Sequence, residues 1–265
     1  LEAAAAAAWD AAAARGGDAA AAIVIAGTTG PKARHVNGTF DRVPAERRAG
    51  GAPVYRKRGD GDAMWLFLAC NNQWYVGVTK NKDARKGQGW AYNPTAVADG
   101  TLPHEAPAGG WKVVVVGVRV PQPAVAVRGV TKAEADRLEA EAKAAAAAAW
   151  DAAAARGGDA AAAIVIAGTT GPKARHVNGT FDRVPAERRA GGAPVYRKRG
   201  DGDAMWLFLA CNNQWYVGVT KNKDARKGQG WAYNPTAVAD GTLPHEAPAG
   251  GWKVVVVGVR VPQPA

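Results

Sequence analysis

A basic loop that runs into two aromatic residues is the part of the chain whose residue types could do chemistry. Four cations precede two rings in this segment: Lys80, Lys82, Arg85, Lys86, Trp90 and Tyr92. Cations attract phosphate or carboxylate groups, and exposed aromatic rings stack on nucleic acid bases or on sugar rings. The segment therefore predicts a surface that binds an anionic partner. The alternative interpretation is a solvated hairpin connection without a binding role.

A second group of cations lies before a turn that contains two aspartates. The cations are Arg56, Lys57 and Arg58, and we include them in the predicted partner-binding surface. Asp60 and Asp62 have the spacing that begins a calcium loop, but the later ligands and the bidentate glutamate of such a loop do not follow. We therefore predict a turn there. The same cations and rings recur in the second half of the chain as Lys221, Lys223, Arg226, Lys227, Trp231, Tyr233, Arg197, Lys198 and Arg199.

The histidines and cysteines give little indication of catalysis. His35 and His104 have no second histidine or acidic residue at a spacing typical of a metal site or an acid–base pair. Cys70 follows an apolar run, so we predict a small core residue and no disulfide or zinc framework. We expect no cofactor, no metal and no enzymatic activity. An enzyme would require Cys70 or an aspartate to meet a histidine across the fold.

Short β-type runs must position these residues. The clearest hairpin joins residues 64–70 to residues 74–79 through the turn at 71–73, and its first strand is apolar on both faces. The remaining candidate strands are residues 23–26, 36–43, 53–58, 111–116 and 118–120. The predicted fold class is mainly β (α+β), with a small antiparallel sheet or partly open barrel preceded by an alanine-rich helix.

The alanine-rich segments are predicted to be helices. Thr131 and Glu134 form a capping box, and the helix that they begin would end at Gly157 after ~26 residues, or about 39 Å. A shorter version of this helix opens the chain. Trp9 and Trp150 are its large residues, so we expect each to hold its helix against the adjacent β domain.

An exact repeat determines the domain organisation. Residues 3–124 reappear unchanged as residues 144–265. We therefore predict a helix at 1–17, a β module at 18–124, a linker strand end with a long helix at 125–158, and a second β module at 159–265. Every binding surface is then present twice. The shorter first helix suggests a segment of a longer repeat array.

Charge is concentrated in the modules. The formal net charge is +11, which divides into about +6 for each copy, while the linker is neutral. A charge of this size favours polyanionic partners such as nucleic acid, acidic polysaccharide, anionic lipid heads or an acidic protein face. The alternative interpretation is a basic, alanine-rich bias of the genome. The apolar runs are too short for a membrane-spanning helix. Without a secretory signal or a disulfide framework, we expect an intracellular protein.

An ordered string of glycine, tryptophan and tyrosine positions carries a resemblance to a known repeat. The string runs IVIAG, VNGTF, GAPVY, WLFL, WYV, GWAY and GWKV between residues 23 and 121. It resembles a small Trp/Gly-rich β repeat of large multidomain proteins of protists and invertebrates. The resemblance implies an accessory module that stands in tandem or beside other domains, and it assigns no catalytic residue. The alanine-rich helix before each copy departs from that pattern.

The sequence favours a non-catalytic structural or adaptor protein that binds an anionic or protein partner at two places. Two alternatives use the same surface. A nucleic-acid-binding repeat would use the cations with Trp90, and its affinity would fall steeply with salt. A glycan-binding module would use Trp90 and Tyr92 as a stacking platform, with a shallow dependence on salt.

Overall fold

The computed structural model describes residues 2–30, 32–47, 51–59, 63–107, 110–115, 117–188, 192–200, 204–248, 251–256 and 259–262. The chain separates into two compact units, Leu1–Glu139 (unit 1) and Ala140–Ala265 (unit 2). Both units are mainly β, each with an antiparallel sheet that follows a helix, and this confirms the predicted fold class.

Unit 1 begins with a helix and continues through nine strands. A 3-10 turn at Gly17–Ala20 follows the first helix. The elements are α1 (Glu2–Gly16), β1 (Ala22–Ala26), α2 (Ala33–Val36), β2 (Gly38–Arg47), β3 (Pro53–Lys57), β4 (Met64–Leu68), β5 (Trp74–Val78), α3 (Thr79–Asp83), β6 (Ala91–Tyr92), β7 (Lys112–Val115), β8 (Val118–Pro121), β9 (Ala126–Val130) and the first part of α4 (Lys132–Gly157).

Unit 2 repeats this order after the second part of α4. Its elements are a 3-10 turn (Gly158–Ala161), β10 (Ala163–Ile166), α5 (Ala174–Val177), β11 (Gly179–Arg188), β12 (Pro194–Lys198), β13 (Met205–Leu209), β14 (Trp215–Val219), α6 (Thr220–Asp224), β15 (Ala232–Tyr233), β16 (Lys253–Val256) and β17 (Val259–Pro262).

The unit 1 sheet is curled, and its two outer strands follow one another in the chain. The strand order is β8-β7-β6-β5-β4-β3-β2-β1-β9, so β8 and β9 lie at opposite edges. Nine strands in a flat sheet would hold those edges about 38 Å apart. The connection from Pro121 to Ala126 reaches at most about 18 Å. The sheet must therefore curve until its edges approach, which gives the half-barrel.

The β8–β9 connection is fixed by a buried glutamine. The Gln122 Oε1 accepts hydrogen bonds from the Thr29 N–H at 3.0 Å and from the Thr29 hydroxyl at 3.1 Å. The connection also passes close to Gly27, whose φ is +85° and where a Cβ would lie 2.1 Å from the Ala124 carbonyl oxygen. The residues after β1 thus hold the connection that brings the two edges together.

The central strand β4 is buried along its whole length. Met64, Leu66 and Leu68 face the main core, whereas Trp65 and Phe67 face a second apolar cluster on the other side of the sheet. The prediction of a strand covered on both faces is confirmed. β13 repeats this arrangement in unit 2.

The helices attach to the sheets as the sequence indicates. Trp9 and Trp150 are each 2% exposed and belong to the main core of their own unit. At the start of α4, the Glu134 N–H donates to the Thr131 Oγ1 at 3.1 Å, as a capping threonine requires. Lys132 pairs with Asp136, four residues later on α4, at 3.6 Å.

Several features differ from the sequence-based expectations. The short elements α2, α3 and β6 were not expected, and β9, at the start of the predicted linker, pairs with β1 along five residues. Cys70 is exposed and Cys211 is half-buried, so the prediction of a core cysteine is wrong; β4 ends at Leu68, and Cys70 lies in the turn that follows. The turn with Asp60 and Asp62 lies outside the described residues.

In the part of unit 2 that the structure describes, the sheet has eight strands, with β10 at one edge. Among the described residues, no helix is both long and apolar enough to cross a membrane.

Candidate binding pocket beside Trp90

Backbone hydrogen bonds fix Trp90 between two strands. The Trp90 N–H donates to the Val76 carbonyl oxygen at 2.7 Å, and the Val114 N–H donates to the Trp90 carbonyl oxygen at 2.7 Å. The Trp90 ring is half-buried and packs against the main core. The backbone of Trp90 is therefore held by the sheet, while part of its side chain is exposed at the surface.

The basic loop before Trp90 has a defined conformation. The Lys86 N–H donates to the Asn81 carbonyl oxygen at 2.9 Å, and the Asn81 side-chain amide donates to the Gln88 carbonyl oxygen at 3.2 Å. Arg85 adopts a φ of +48°, which reverses the chain. Gly89 passes so close to β5 that a Cβ would lie 2.3 Å from the Val76 carbonyl oxygen. Only glycine fits there without moving the backbone.

Lys32, just before α2, and His35, within α2, both contact Trp90, and no sequence pattern predicted this role for either residue. The Lys32 ammonium lies 3.9 Å from the centroid of a Trp90 ring, and the His35 ring stacks on Trp90 with centroids 5.5 Å apart. Lys173 and His176 repeat these contacts with Trp231 at 4.1 and 5.9 Å. Lys32 and His35 lie more than 50 residues before Trp90, so no sequence spacing predicts their contacts with it. The curl of the sheet brings them together.

A pocket opens beside Trp90, and a related pocket opens beside Trp231. The Trp90 pocket has a volume of about 320 Å³ and the Trp231 pocket about 200 Å³. Both are lined at the same five positions, which are Val78, Asn81, Gln88, Gly89 and Trp90 in unit 1 and Val219, Asn222, Gln229, Gly230 and Trp231 in unit 2. Tyr75, Tyr92 and Arg119 add a further wall to the Trp90 pocket.

Tyr92 is not an exposed partner of Trp90. Its side chain is buried, its ring stacks on Tyr75 with centroids 5.1 Å apart, and the Arg119 guanidinium lies 5.2 Å from its centroid. Tyr233 is similarly buried against Tyr216. These contacts correct the picture of Trp90 and Tyr92 as an open stacking platform.

Lys82 and Lys223 are buried, and this corrects their place among the predicted surface cations. The Lys82 side chain is 3% exposed, and its ammonium lies 4.0 Å from the Trp65 ring centroid and 2.9 Å from an Asp83 carboxylate oxygen. Lys223 lies over Trp206 at 4.0 Å and pairs with Glu187 and Asp224. A buried ammonium requires such compensation, so these lysines are structural.

The other cations of the loop remain near the surface. Lys80 and Lys86 are exposed and Arg85 is half-buried. In unit 2, Lys221 and Lys227 are exposed and Arg226 is half-buried. Four exposed lysines, two in each unit, are thus available beside the two pockets.

The second cationic group in unit 1 divides into three different environments. Arg56 is exposed, with its guanidinium carbon 5.9 Å from the Trp65 ring centroid. Lys57 donates to the Arg34 carbonyl oxygen, and burial together with the Arg34 charge lowers the pKa of Lys57 to about 8. Arg58 is 12% exposed and is engaged by carboxylates of unit 1.

The equivalent group in unit 2 differs at its third position. Arg197 is exposed and Lys198 donates to the Arg175 carbonyl oxygen. Arg199 pairs with Asp182 at 2.6 Å, and its side chain is 64% exposed.

The described residues contain no cluster of three or more His, Cys, Asp or Glu that could hold a metal ion. No family model, no curated protein and no solved structure matches the chain. A functional proposal for this chain therefore rests on the geometry of the pocket.

Proposed function

We propose that each unit is a non-catalytic binding module and that the chain is a tandem adaptor for an anionic protein partner. The observation that supports this most directly is the recurrence of the pocket, lined by the same five positions beside Trp90 and Trp231. A tandem adaptor needs an accessible concave site in each module. A volume of about 320 Å³ suits one or two side chains of a partner segment.

The charges around the pocket favour an acidic segment. Lys80 and Lys86 are exposed on the loop that forms the pocket, and the exposed Arg119 lines it directly. The side-chain amides of Asn81 and Gln88 supply neutral hydrogen-bonding groups at the same place. A carboxylate that entered the pocket would gain charge-assisted hydrogen bonds from these donors.

An acidic peptide fits this geometry better than stacked bases or sugars. Lys32 and His35 already contact the Trp90 ring, and Tyr92 is buried. Stacking of bases or sugars requires aromatic faces that are open to the ligand. The pocket offers charged groups and hydrogen-bond donors to a ligand more readily than it offers open aromatic faces.

Bivalent binding is tested with charge reversals in the full chain. One variant carries Lys80→Glu with Lys86→Glu, and a second adds Lys221→Glu with Lys227→Glu. With poly-glutamate as the probe, we expect the first variant to bind at least about tenfold more weakly and the second to lose binding, because two linked sites multiply their affinities. A first variant that halves the stoichiometry and keeps the same Kd would refute bivalent binding.

The matched control places charge reversals on α4. Lys132→Glu with Lys143→Glu changes the net charge as much as the first variant does, at two exposed positions outside the pockets. This control should bind poly-glutamate almost as well as the unchanged chain. An equal loss of affinity in the control would show that only overall charge matters. If the chain instead binds oligo(dT) strongly, with a steep dependence on salt, and does not bind poly-glutamate, the proposed partner is a nucleic acid and not an acidic protein.

A further inference from the structure

Within the described residues, the outer edge of β10 has no neighbouring strand, whereas β9 covers the same edge of β1. In unit 1, β9 pairs antiparallel with β1 through five residue pairs, from Ala22 with Val130 to Ala26 with Ala126. In the part of unit 2 that the structure describes, no strand lies on that side of β10. β10 has the sequence of β1, so the same N–H and C=O groups face outward there. An edge of this kind is a template for another strand.

The open edge exposes apolar side chains that are covered in unit 1. Val165 is 71% exposed, but the equivalent Val24 is half-buried. Ala22 is fully buried in a small cluster with Val130 of β9 and Ala135 of α4, and Val24 packs against this cluster. A strand on β10 would therefore remove apolar surface from water in addition to pairing the backbone.

An arginine just after the third strand from this edge gives a second difference. In unit 1, Arg58 donates to both carboxylate oxygens of Asp41 at 2.7 and 2.6 Å. Arg58 also pairs with Asp136 at 2.8 Å and Glu139 at 3.1 Å, both on the first turns of α4. Its side chain is consequently 12% exposed.

The equivalent arginine of unit 2 has only the local part of this network. Arg199 pairs with Asp182, the counterpart of Asp41, and its side chain is 64% exposed. The exposed guanidinium and the open strand edge are the two features that β9 and the start of α4 cover in unit 1. Together they define the chemistry of a segment that would fit this edge.

We propose that the β10 edge and Arg199 form an acceptor site for a strand and helix with the sequence of residues 125–139, supplied by the spacer of a further repeat. The strand adds antiparallel to β10, and the residues that correspond to Val130 and Ala135 cover Val165 as they cover Val24 in unit 1. The carboxylates that correspond to Asp136 and Glu139 then reach Arg199. This is strand addition in which backbone hydrogen bonds supply affinity and the helix charges supply specificity.

A synthetic peptide with the sequence of residues 124–143 tests the acceptor site on the full chain. We expect binding with one peptide per chain, and slower amide hydrogen exchange at residues 163–166. A peptide with the changes Asp136→Asn and Glu139→Gln should bind at least about tenfold more weakly, because it loses its charge-assisted contacts with Arg199. No binding at about 100 µM peptide would overturn the proposal.

Two variants of the chain separate the β10 edge from other exposed edges. Val165→Lys should abolish peptide binding, since lysine on an edge strand opposes pairing. Val118→Lys places the same charge on β8, where Val118 is 64% exposed, and should leave binding unchanged. Both variants are first checked for an unchanged circular dichroism spectrum. Equal weakening by both variants, or exchange protection on β1 instead of β10, would overturn the proposal.

Discussion

Trp9 of α1 stands edge-on to Trp74 of β5, with ring centroids 6.2 Å apart and an angle of 89° between the rings. The Trp74 Nε1–H donates to the Thr101 carbonyl oxygen at 3.1 Å, which orients the ring. Trp150 and Trp215 repeat the pair at the same separation and angle. Each alanine-rich helix is thus joined to its sheet by one tryptophan pair.

Replacement of Trp9 by alanine should destabilise unit 1 strongly. We expect a loss of about 3–5 kcal/mol in the free energy of unfolding, because a large buried side chain is replaced by a cavity. Chemical denaturation followed by circular dichroism measures this loss. Trp150→Ala should destabilise unit 2 by a similar amount, and Ala11→Gly, at an exposed position of α1, should cost only about 1 kcal/mol. If Trp9→Ala costs no more than Ala11→Gly, the tryptophan pair is not what holds the helix.

Gly89→Ala should distort the Trp90 pocket. The new Cβ would lie 2.3 Å from the Val76 carbonyl oxygen, so the loop must move and the hydrogen bond from the Trp90 N–H must lengthen. We expect a loss of about 1–3 kcal/mol and faster amide exchange at Trp90. Gly110→Ala is the control, since its Cβ would meet Pro94 at an ordinary 3.5 Å. Similar exchange rates at Trp90 in the two variants would contradict the prediction.

Lys82 and Lys80 should respond differently to alanine substitution. Lys82→Ala removes a buried ammonium from Trp65 and Asp83, and we expect a loss of about 1–3 kcal/mol in stability. Lys80→Ala changes an exposed side chain, so its effect on stability should stay within about 0.5 kcal/mol. Thermal unfolding of both variants distinguishes a structural lysine from a surface lysine. A larger loss from Lys80→Ala would reverse this assignment.

The stability of both units should fall in acid through one glutamate in each. Burial raises the pKa of Glu105, but the Leu102 N–H and the Arg15 guanidinium together lower it below its usual value near 4.5. The folded state therefore binds this proton less readily than the unfolded state does. The resulting stabilisation is fully present above pH 4.5 and is lost as the pH falls through the lower, folded-state pKa. Glu246 beside Arg156 shows the same shift.

The double variant Glu105→Gln with Glu246→Gln tests this pH dependence. Each change should cost about 1 kcal/mol or less at neutral pH, because the arginine side chains are 59% exposed. Below pH 4.5 the variant should lose less stability than the unchanged chain. Melting temperatures measured from pH 3 to pH 7 provide the comparison. Parallel pH profiles for the two proteins would show that these glutamates do not carry the acid sensitivity.

The sequence predicted those helices and strands whose formation depends on residues close together in the chain. The hairpin of β4 and β5 followed from two β-type runs on either side of the turn at 71–73, the first of them apolar on both faces, and α4 followed from its threonine cap and alanine content. β6 has only two residues, which is too short for any periodic signal. β9 was assigned to the linker because nothing within Ala126–Val130 indicates pairing with a strand that lies about a hundred residues earlier.

The candidate site was harder to predict for the same reason. Charge and aromatic content drew attention to the loop before Trp90, whose residues Gly87, Gln88 and Gly89 line the pocket. Sequence could not separate the buried Lys82 from the exposed Lys80, two positions apart on α3. Burial of Lys82 depends on where Trp65 lies across the sheet. The contact of Lys32 with Trp90 likewise arises only after the sheet has curled.

The position of β9 in the chain sets the order in which unit 1 is able to fold during its synthesis. Strands β2 to β8 each pair with the strand before them, so each of these pairings involves only chain that has already been synthesised. The pairing of β1 with β9 joins residues as far apart as Ala22 and Val130, and such distant contacts form late. The nascent module keeps its β1 edge open until the ribosome has synthesised the spacer. Completion of the first module and synthesis of the helix that begins the second are therefore coupled in time.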